Sequence, residues 1–244
     1  KGPSSPKGGH RVLGPLDYAI WLTGFSLEVA LLLRILYRRA FSRYYAIAAY
    51  VAGDVFAQCL EYLCISRYGV DSKQFHFYYY YVESLLTILL FFVIIHFYQQ
   101  IFAELNVNRY ISGGASILLV ATALFSYLVV RQHESHLTSA FVVELGQDLY
   151  FVGVVLTYML WGAILKLRET RTRLIQLVLA LGIYFSATAG VYALRNLFPE
   201  MGTGIFQLLA PAIGAWLPLA WVYTFFRVPE DARLTTAGLV VTVR

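Results

Sequence analysis

The chain has 244 residues, of which 59% are hydrophobic and only 14% are charged, whereas about a quarter of the residues in an ordinary soluble domain are charged. A water-soluble core cannot bury so much apolar surface. The formal net charge of +5 does not indicate nucleic-acid binding, because the Lys and Arg residues lie between apolar blocks and form no separate basic domain. We expect the partner to be a lipid bilayer and not nucleic acid.

The apolar residues fall into seven blocks separated by short polar segments. Each block is close to the roughly 20 residues that a helix rising ~1.5 Å per residue needs to cross the hydrocarbon core. Because lipid offers no hydrogen-bond partner to a free backbone, each block is predicted to be helical. The predicted spans cover residues 17–37, 44–65, 75–98, 110–130, 139–167, 174–198 and 204–226. The sequence therefore predicts an all-α, seven-transmembrane helix bundle over 17–226, between a flexible lead at 1–16 and a short tail at 227–244.

The distribution of Lys and Arg predicts the orientation of this bundle. Of the 19 such residues, 12 lie in or beside the first, third and fifth connections and the tail. Cytoplasmic connections carry the excess of Lys and Arg in membrane proteins. We therefore expect the N-terminus outside and the C-terminus in the cytoplasm. The short loops and Arg-rich turns favour a bacterial inner (plasma) membrane.

Small side chains inside two of the spans have predicted packing roles. Cys59 and Cys64 are spaced unsuitably for a CxxC motif, and we expect both to be buried hydrophobes. Gly113, Gly114 and Ser116 in the fourth span offer a small-residue face, which favours close approach of a second helix. Both features are predicted to be structural rather than chemical.

Apart from Asp17 at the very start of the first span, six acidic residues lie inside the predicted spans. Charged side chains are costly there and are therefore the first candidates for function. At ~1.5 Å per residue, four of them fall in the outer halves of their helices: Glu61, Glu83, Glu144 and Asp148. Arg195, at the outer end of the sixth span, is the cation that is placed to pair with these acids. We expect a polar pocket open to the outside with these ligand-binding residues: Glu61, Glu83, Glu144, Asp148, Arg195, Tyr80, Tyr184 and Tyr192.

The surplus of acids over Arg195 must be relieved by protons, by water or by a cation. Tyrosine ring faces attract organic cations, so the expected ligand is a small polar or cationic solute, with no cofactor and no metal site. Asp54 and Glu28, nearer the middle of their spans, are expected to relay protons inward. Gln58 follows Asp54 by four positions, so helical spacing places both on one stripe of the second span. The alternative interpretation is that these groups hydrogen-bond one another and only fix the packing of the helices.

The span count and topology are similar to those of microbial rhodopsins and G-protein-coupled receptors. Residues 204–226 contain no lysine, so a retinal Schiff base cannot form there. The receptor signatures are also missing, because the third span ends HFYQQ and the seventh ends WVYTFFR. The layout resembles the seven-span sensor modules of bacterial histidine kinases as well, but without a kinase. No family is assigned from these resemblances.

We expect a ligand-binding protein of the sensor or receptor type that acts through a protein partner. A proton-coupled small-solute transporter is the first alternative, because the same acids could carry protons, although no internal repeat is found. An intramembrane metal-dependent enzyme ranks lower, because the spans contain no constellation of nucleophile, histidine and acid. A structural subunit of a membrane complex is the last alternative, since such a subunit needs no site.

Overall fold

The computed structural model describes residues 15–37, 41–69, 72–103, 108–133, 137–198, 203–235 and 238–240. Over these described residues the structure is 91% helix, which confirms the predicted helical fold. The helices are α1 (Pro15–Tyr37), α2 (Phe41–Tyr68), α3 (Lys73–Ile101), α4 (Asn108–His133), α5 (Leu137–Lys166), α6 (Thr172–Leu197) and α7 (Thr203–Arg227). The flexible lead predicted at 1–16 lies, except for its last two residues, outside the described ranges.

Several helices have the length and composition of membrane spans. Over the described residues, the five helices α2 to α6 are long and apolar enough to cross a bilayer. Their outward faces carry large exposed apolar side chains, among them Phe56, Ile117 and Tyr158. Contiguous exposed apolar surface of this kind is normally covered by a membrane or by another protein. The helices therefore indicate a lipid bilayer environment.

Six of the helices form a closed ring in the order α1, α2, α3, α5, α6 and α7, with α7 returning to α1. Within it, α3 and α5 run parallel, because Ser84 and Tyr98 of α3 donate hydrogen bonds to the carbonyl oxygens of Val142 and Leu156 of α5. The intervening helix α4 lies outside the ring, against α5 and more lightly against α3. The chain thus leaves the ring at the end of α3 and re-enters it at the start of α5.

The ring is packed around large aromatic side chains. Phe97, Phe185 and Trp221 are fully buried, and Trp221 meets the ring of Tyr50 edge-on at 5.7 Å between centroids. Because lipid tails are as apolar as these side chains, exclusion of water does not hold the helices together. Close packing and hydrogen bonds between helices do so instead.

The small-residue face of α4 does not pack as the sequence predicted. Gly113, Gly114 and Ser116 are all exposed, and a methyl group added at either glycine would meet no atom within 4 Å. The predicted close approach is therefore wrong within this chain. The physical reason is that α4 turns a different face to the bundle, the one that carries Thr122 and Ser126, both of which are buried.

The predicted burial of the cysteines is also wrong. Cys59 is exposed, Cys64 is partly exposed, and both are free thiols. Cys59 lies between Phe56 and Leu63 on an exposed apolar stripe of α2. Residues three and four positions apart share one side of a helix, and here that side faces away from the ring.

The two ends of the bundle differ in chemistry. One end, called the basic end, carries Arg43, Arg173 and Arg227, and the Arg43 guanidinium pairs there with Glu230 at 2.7 Å. The opposite end, called the tyrosine end, carries the four consecutive tyrosines at 78–81 near the start of α3. Helices that follow one another in the chain therefore alternate in direction between these two ends.

A small β-hairpin, which no sequence pattern predicted, lies at the basic end. Its strands are β1 (Arg233–Thr235) and β2 (Gly238–Val240). The N–H of Leu234 donates to the Thr170 carbonyl at 2.8 Å, and the N–H of Thr172 donates to the Ala232 carbonyl at 3.1 Å. The second bond satisfies a backbone donor in the first turn of α6, where no partner exists within the helix. The segment after α7 is thereby fixed to the connection between α5 and α6.

Candidate functional site

A pair of carboxyl groups lies between α1 and α2. Glu28 is 5% exposed and accepts a 2.7 Å hydrogen bond from Nε2 of Gln58. The Asp54 carboxyl lies within hydrogen-bonding reach of both Glu28 and Gln58 and accepts a 3.4 Å bond from the hydroxyl of Tyr50. The three α2 residues are four positions apart, so they form one stripe of the helix. We call Glu28, Tyr50, Asp54 and Gln58 the inner cluster.

A second polar cluster surrounds Glu83 on α3, closer to the tyrosine end. The hydroxyl of Tyr192 on α6 donates a 3.0 Å hydrogen bond to Glu83, and Tyr79, one turn earlier on α3, lies within hydrogen-bonding reach of this carboxyl. The hydroxyls of Tyr150 and Tyr184 lie 3.4 Å apart, and the Tyr150 and Tyr192 ring centroids are separated by 5.6 Å. We call these five residues the tyrosine cluster.

Local contacts fix the position of Glu83. Ser72 caps α3 by accepting a 3.1 Å hydrogen bond from the N–H of Phe75, as a serine before the first helical residue commonly does. Tyr78 then donates to the Ala57 carbonyl of α2 at 2.6 Å. With Ser84 bonded to α5, α3 is held on both sides of Glu83, and its carboxyl is directed towards α6.

Tyr50 connects the two clusters. Its side chain is buried, and its hydroxyl, bonded to Asp54, lies within electrostatic range of Tyr150 and Tyr184. Tyr150 in turn lies within electrostatic range of both Asp54 and Glu83. Hydroxyl and carboxyl groups therefore extend through the ring from α1 to α6.

The acids of α5 are placed differently from Glu83. Asp148 accepts a 2.6 Å hydrogen bond from the hydroxyl of Ser126, a residue of α4 with no exposed surface. Glu144, one turn earlier, lies within electrostatic range of Asp148. Asp148 therefore joins α5 to α4, whereas Glu83 joins α3 to α6.

The remaining predicted site residues lie around or outside the tyrosine cluster. Glu61 lies within electrostatic range of Tyr78 and Tyr79. Tyr80 is exposed on α3. Arg195 is exposed at the end of α6, and in the described part of the chain it pairs with none of the acids. Of the residues predicted to line one pocket, the structure thus brings Glu83, Tyr184 and Tyr192 together.

The predicted site residues did not include Tyr50, Tyr79 or Tyr150. Tyr50 precedes Asp54 by four positions, so the stripe that linked Asp54 to Gln58 could have been extended to it. Tyr150 carries no such signal, because its neighbours Leu149 and Phe151 are apolar and its burial follows from contacts with α6. A buried tyrosine commonly finds a partner for its hydroxyl, which is how Tyr150 meets Tyr184.

The acids of the two clusters are bonded to neutral groups. Over the described residues, the hydrogen bonds to Glu28, Asp54 and Glu83 come from amide and hydroxyl donors, and no ion pair includes these acids. A buried carboxylate without a cation is strongly penalised. The interior can relieve this penalty by holding protons or by binding a cation. No group of three or more His, Cys, Asp or Glu side chains in the described ranges is arranged to hold a metal ion.

Two cavities lie apart from these clusters. One of about 420 Å³ lies between α2, α3 and α4 and includes His96 and Gln99. Another of about 400 Å³ lies at the basic end around Arg34 and Arg173. Neither is lined by a residue of the inner cluster or the tyrosine cluster.

Comparison with protein-family models, curated proteins and solved structures finds no match for this chain. The fold and the polar clusters therefore define a class only. That class is a helical protein with helices of membrane-spanning length and an acidic, tyrosine-rich interior.

Proposed function

We propose that all seven helices cross the bilayer, with the basic end in the cytoplasm. In support, α1 and α7 have 23 and 25 residues and complete the ring with helices that qualify as spans. The concentration of arginine at the basic end is what cytoplasmic connections show. This topology places the N-terminus outside and the tyrosine cluster towards the outer face. A bacterial inner membrane is the proposed location.

The protein is proposed to be a sensor or receptor that binds a small cationic solute. The observation that carries this proposal is the setting of Glu83, which accepts a bond from Tyr192 and, within the described chain, faces no cation. A carboxylate attracts a cation directly, and the ring faces of Tyr150 and Tyr192 add a second attraction for an organic ammonium group. Tyr79 and Glu61 supply further polar surface. The signal would pass to a protein partner at the basic end.

A proton-coupled transporter is the second candidate, and the inner cluster favours it. Two carboxyl groups within hydrogen-bonding reach hold a proton between them more readily than two negative charges. The Tyr50 hydroxyl then offers a route for protons from Asp54 towards Tyr150 and the tyrosine cluster. A solute bound at Glu83 could in this way exchange for a proton held by Glu28 and Asp54.

Thermal unfolding of the purified protein in detergent, with a panel of organic amines, tests the binding proposal. A ligand at about 100 times its Kd stabilises the folded state by about 2.7 kcal/mol, so a compound that binds should raise the Tm by several degrees. Glu83→Gln and Tyr192→Phe should remove this shift. The controls are Asp231→Asn and Tyr158→Phe, both at exposed positions, which should retain it. A shift that survives Glu83→Gln, or no shift with any amine, would contradict the proposal.

Flux measurements on proteoliposomes separate the two candidates. A transporter should move the stabilising amine across the membrane, the flux should collapse with the proton gradient, and Asp54→Asn should abolish it. A sensor should bind the same amine without flux. The first result would favour the transporter, and the second would favour the sensor.

A further inference from the structure

A groove of about 420 Å³ lies between α2, α3 and α4, outside the ring. It exists because α4 packs mainly on α5 and only lightly on α3, which leaves a gap beside α2. One face of α4 forms its outer wall, through Ser112, Ala115, Ser116, Leu119 and Val120. These positions follow the spacing of three and four residues that marks a single side of a helix. The groove therefore follows one side of α4 along α3.

The groove changes from polar to apolar along its length. Towards the basic end it contains Gln99, whose Nε2 donates to the Ser112 hydroxyl at 3.0 Å. At the other end it is lined by Leu89, Phe92 and Val120. From Gln99 to Leu89 the helix rises about 15 Å, which is half of the roughly 30 Å hydrocarbon thickness. That length and that polarity match one acyl chain of a single leaflet, with its polar end at the basic end of the bundle.

His96 gives the polar end a specific hydrogen-bonding requirement. It is 7% exposed and lines the groove, and its Nε2 lies 2.7 Å from the carbonyl oxygen of Arg43. A carbonyl only accepts, so Nε2 of His96 carries the proton. Nε2 of Gln100, which lies 2.8 Å from this nitrogen, donates to the same Arg43 carbonyl at 2.6 Å. Nδ1 of the neutral imidazole is then an acceptor. Among the described residues Nδ1 is buried without a partner. An unsatisfied buried acceptor is costly, so an occupant of the groove should bring a donor.

We propose that this groove binds a lysophospholipid. Its single acyl chain lies between α3 and α4 and points towards Leu89, and its free glycerol hydroxyl, next to the acyl ester, donates to Nδ1 of His96. Its phosphate lies towards Arg109, which is exposed and three positions before Ser112 on the same side of α4. Basic residues at the cytoplasmic ends of helices are a common means of holding lipid phosphates. The acyl chain and the glycerol hydroxyl thus have counterparts in the groove, and the phosphate has one beside its polar end.

The full chain in phosphatidylcholine nanodiscs, with a lysophosphatidylcholine that carries a photoreactive diazirine in its acyl chain, tests this proposal. Labelled residues are identified by mass spectrometry. The label should saturate with probe concentration and map to the groove walls on α3 and α4. Ala115→Phe, which fills the groove, should abolish this labelling, and Ala121→Phe, at an exposed position of the same helix, should preserve it. Arg109→Gln should raise the half-saturating probe concentration.

His96→Phe removes the acceptor and should weaken probe binding about fivefold, as expected for one lost hydrogen bond. The Tm of each variant confirms that it is folded. Labelling that rises linearly and spreads over all lipid-facing helices would overturn the proposal, as would equal losses in Ala115→Phe and Ala121→Phe. Equal capture of a two-chain phosphatidylcholine probe would overturn the assignment to a lysophospholipid. Crosslinks between two copies of the chain at the groove would show a protein occupant and would overturn it too.

Discussion

Gly153 of α5 and Phe185 of α6 approach so closely that no side chain fits between them. A Cβ atom built on Gly153 would lie 2.4 Å from two carbons of the Phe185 ring. Phe185 is buried and packs against Tyr150 and Tyr184, so it has no free space into which to move. This glycine therefore sets the separation of α5 and α6 beside the tyrosine cluster.

Gly153→Ala is expected to lower the free energy of unfolding by about 1–3 kcal/mol, the usual cost of overpacking a tight contact. Gly162→Ala on the same helix is the matched control, because a Cβ there meets nothing within 4 Å. Thermal unfolding in detergent compares the two. Equal stability of both variants would show that the contact relaxes without cost.

Ser126→Ala is expected to destabilise the protein by about 1–3 kcal/mol, because it leaves the Asp148 carboxyl without its 2.6 Å donor in the contact between α4 and α5. Ser116→Ala is the control, since this exposed hydroxyl on the same helix bonds only to the carbonyl of Ser112, one turn away. The measurement is the Tm at neutral pH. If the control loses as much stability as Ser126→Ala, the bond to Asp148 is not the cause.

Gln58→Leu is expected to cost about 1–3 kcal/mol, because it removes the 2.7 Å donor from the buried carboxyl of Glu28. Adding Glu28→Leu should recover part of this loss, since no unsatisfied acceptor then remains at that position. Free energies of unfolding of the two single variants and the double variant give a coupling energy, expected at about 0.5–3 kcal/mol. Additive losses would mean that the two side chains do not interact.

Glu169 is expected to make stability depend on pH. The Arg171 guanidinium holds the pKa of this carboxyl below its usual value, with smaller contributions from the N–H groups of Arg171 and Thr170. Since the folded pKa is depressed, the stabilisation is full above the unfolded value of about 4.3 and is lost as the pH falls through the folded pKa. Glu169→Gln should therefore lower the Tm at pH 6 and lower it less at pH 3.

Gly162→Ala changes no ionisable group and is the control for the pH series, because its Tm difference from the parent should change little between pH 6 and pH 3. A Tm difference between Glu169→Gln and the parent that is the same at every pH would show that Glu169 does not act through its charge. Glu169 lies in the connection between α5 and α6, outside both helices.

The positions of the helices could be predicted because the bilayer imposes a length. The apolar block at 75–98 lies within α3 (Lys73–Ile101), and the block at 44–65 lies within α2 (Phe41–Tyr68). The ends could not be predicted from hydropathy, because polar residues continue the helices. Gln99 and Gln100 extend α3 beyond its apolar block, and Gln99 is bonded to Ser112 of α4. Polar helix ends are stable when a neighbouring helix supplies hydrogen-bond partners for their side chains.

The polar clusters could be predicted only within single helices. Helical spacing placed Asp54 and Gln58 on one stripe, but it could not show that Glu28 of α1 would face them. In a soluble helix the apolar side identifies the core, whereas in lipid both the core-facing and the outward-facing sides are apolar. The rotation of each helix and the choice of its neighbours are then set by packing. For this reason Asp148 was predicted beside Glu83, although its hydrogen bond is to Ser126 of α4.

The contact between α1 and α7 has a consequence for the order of assembly. A chain is synthesised from its N-terminus, so Tyr50 and the rest of the inner cluster enter the membrane well before α7 is made. Until α7 arrives, the ring is open between α1 and α6, and the buried face of Tyr50 that later packs on Trp221 has no protein neighbour there. Completion of the acidic interior is therefore a late step in biosynthesis, because it depends on the arrival of α7.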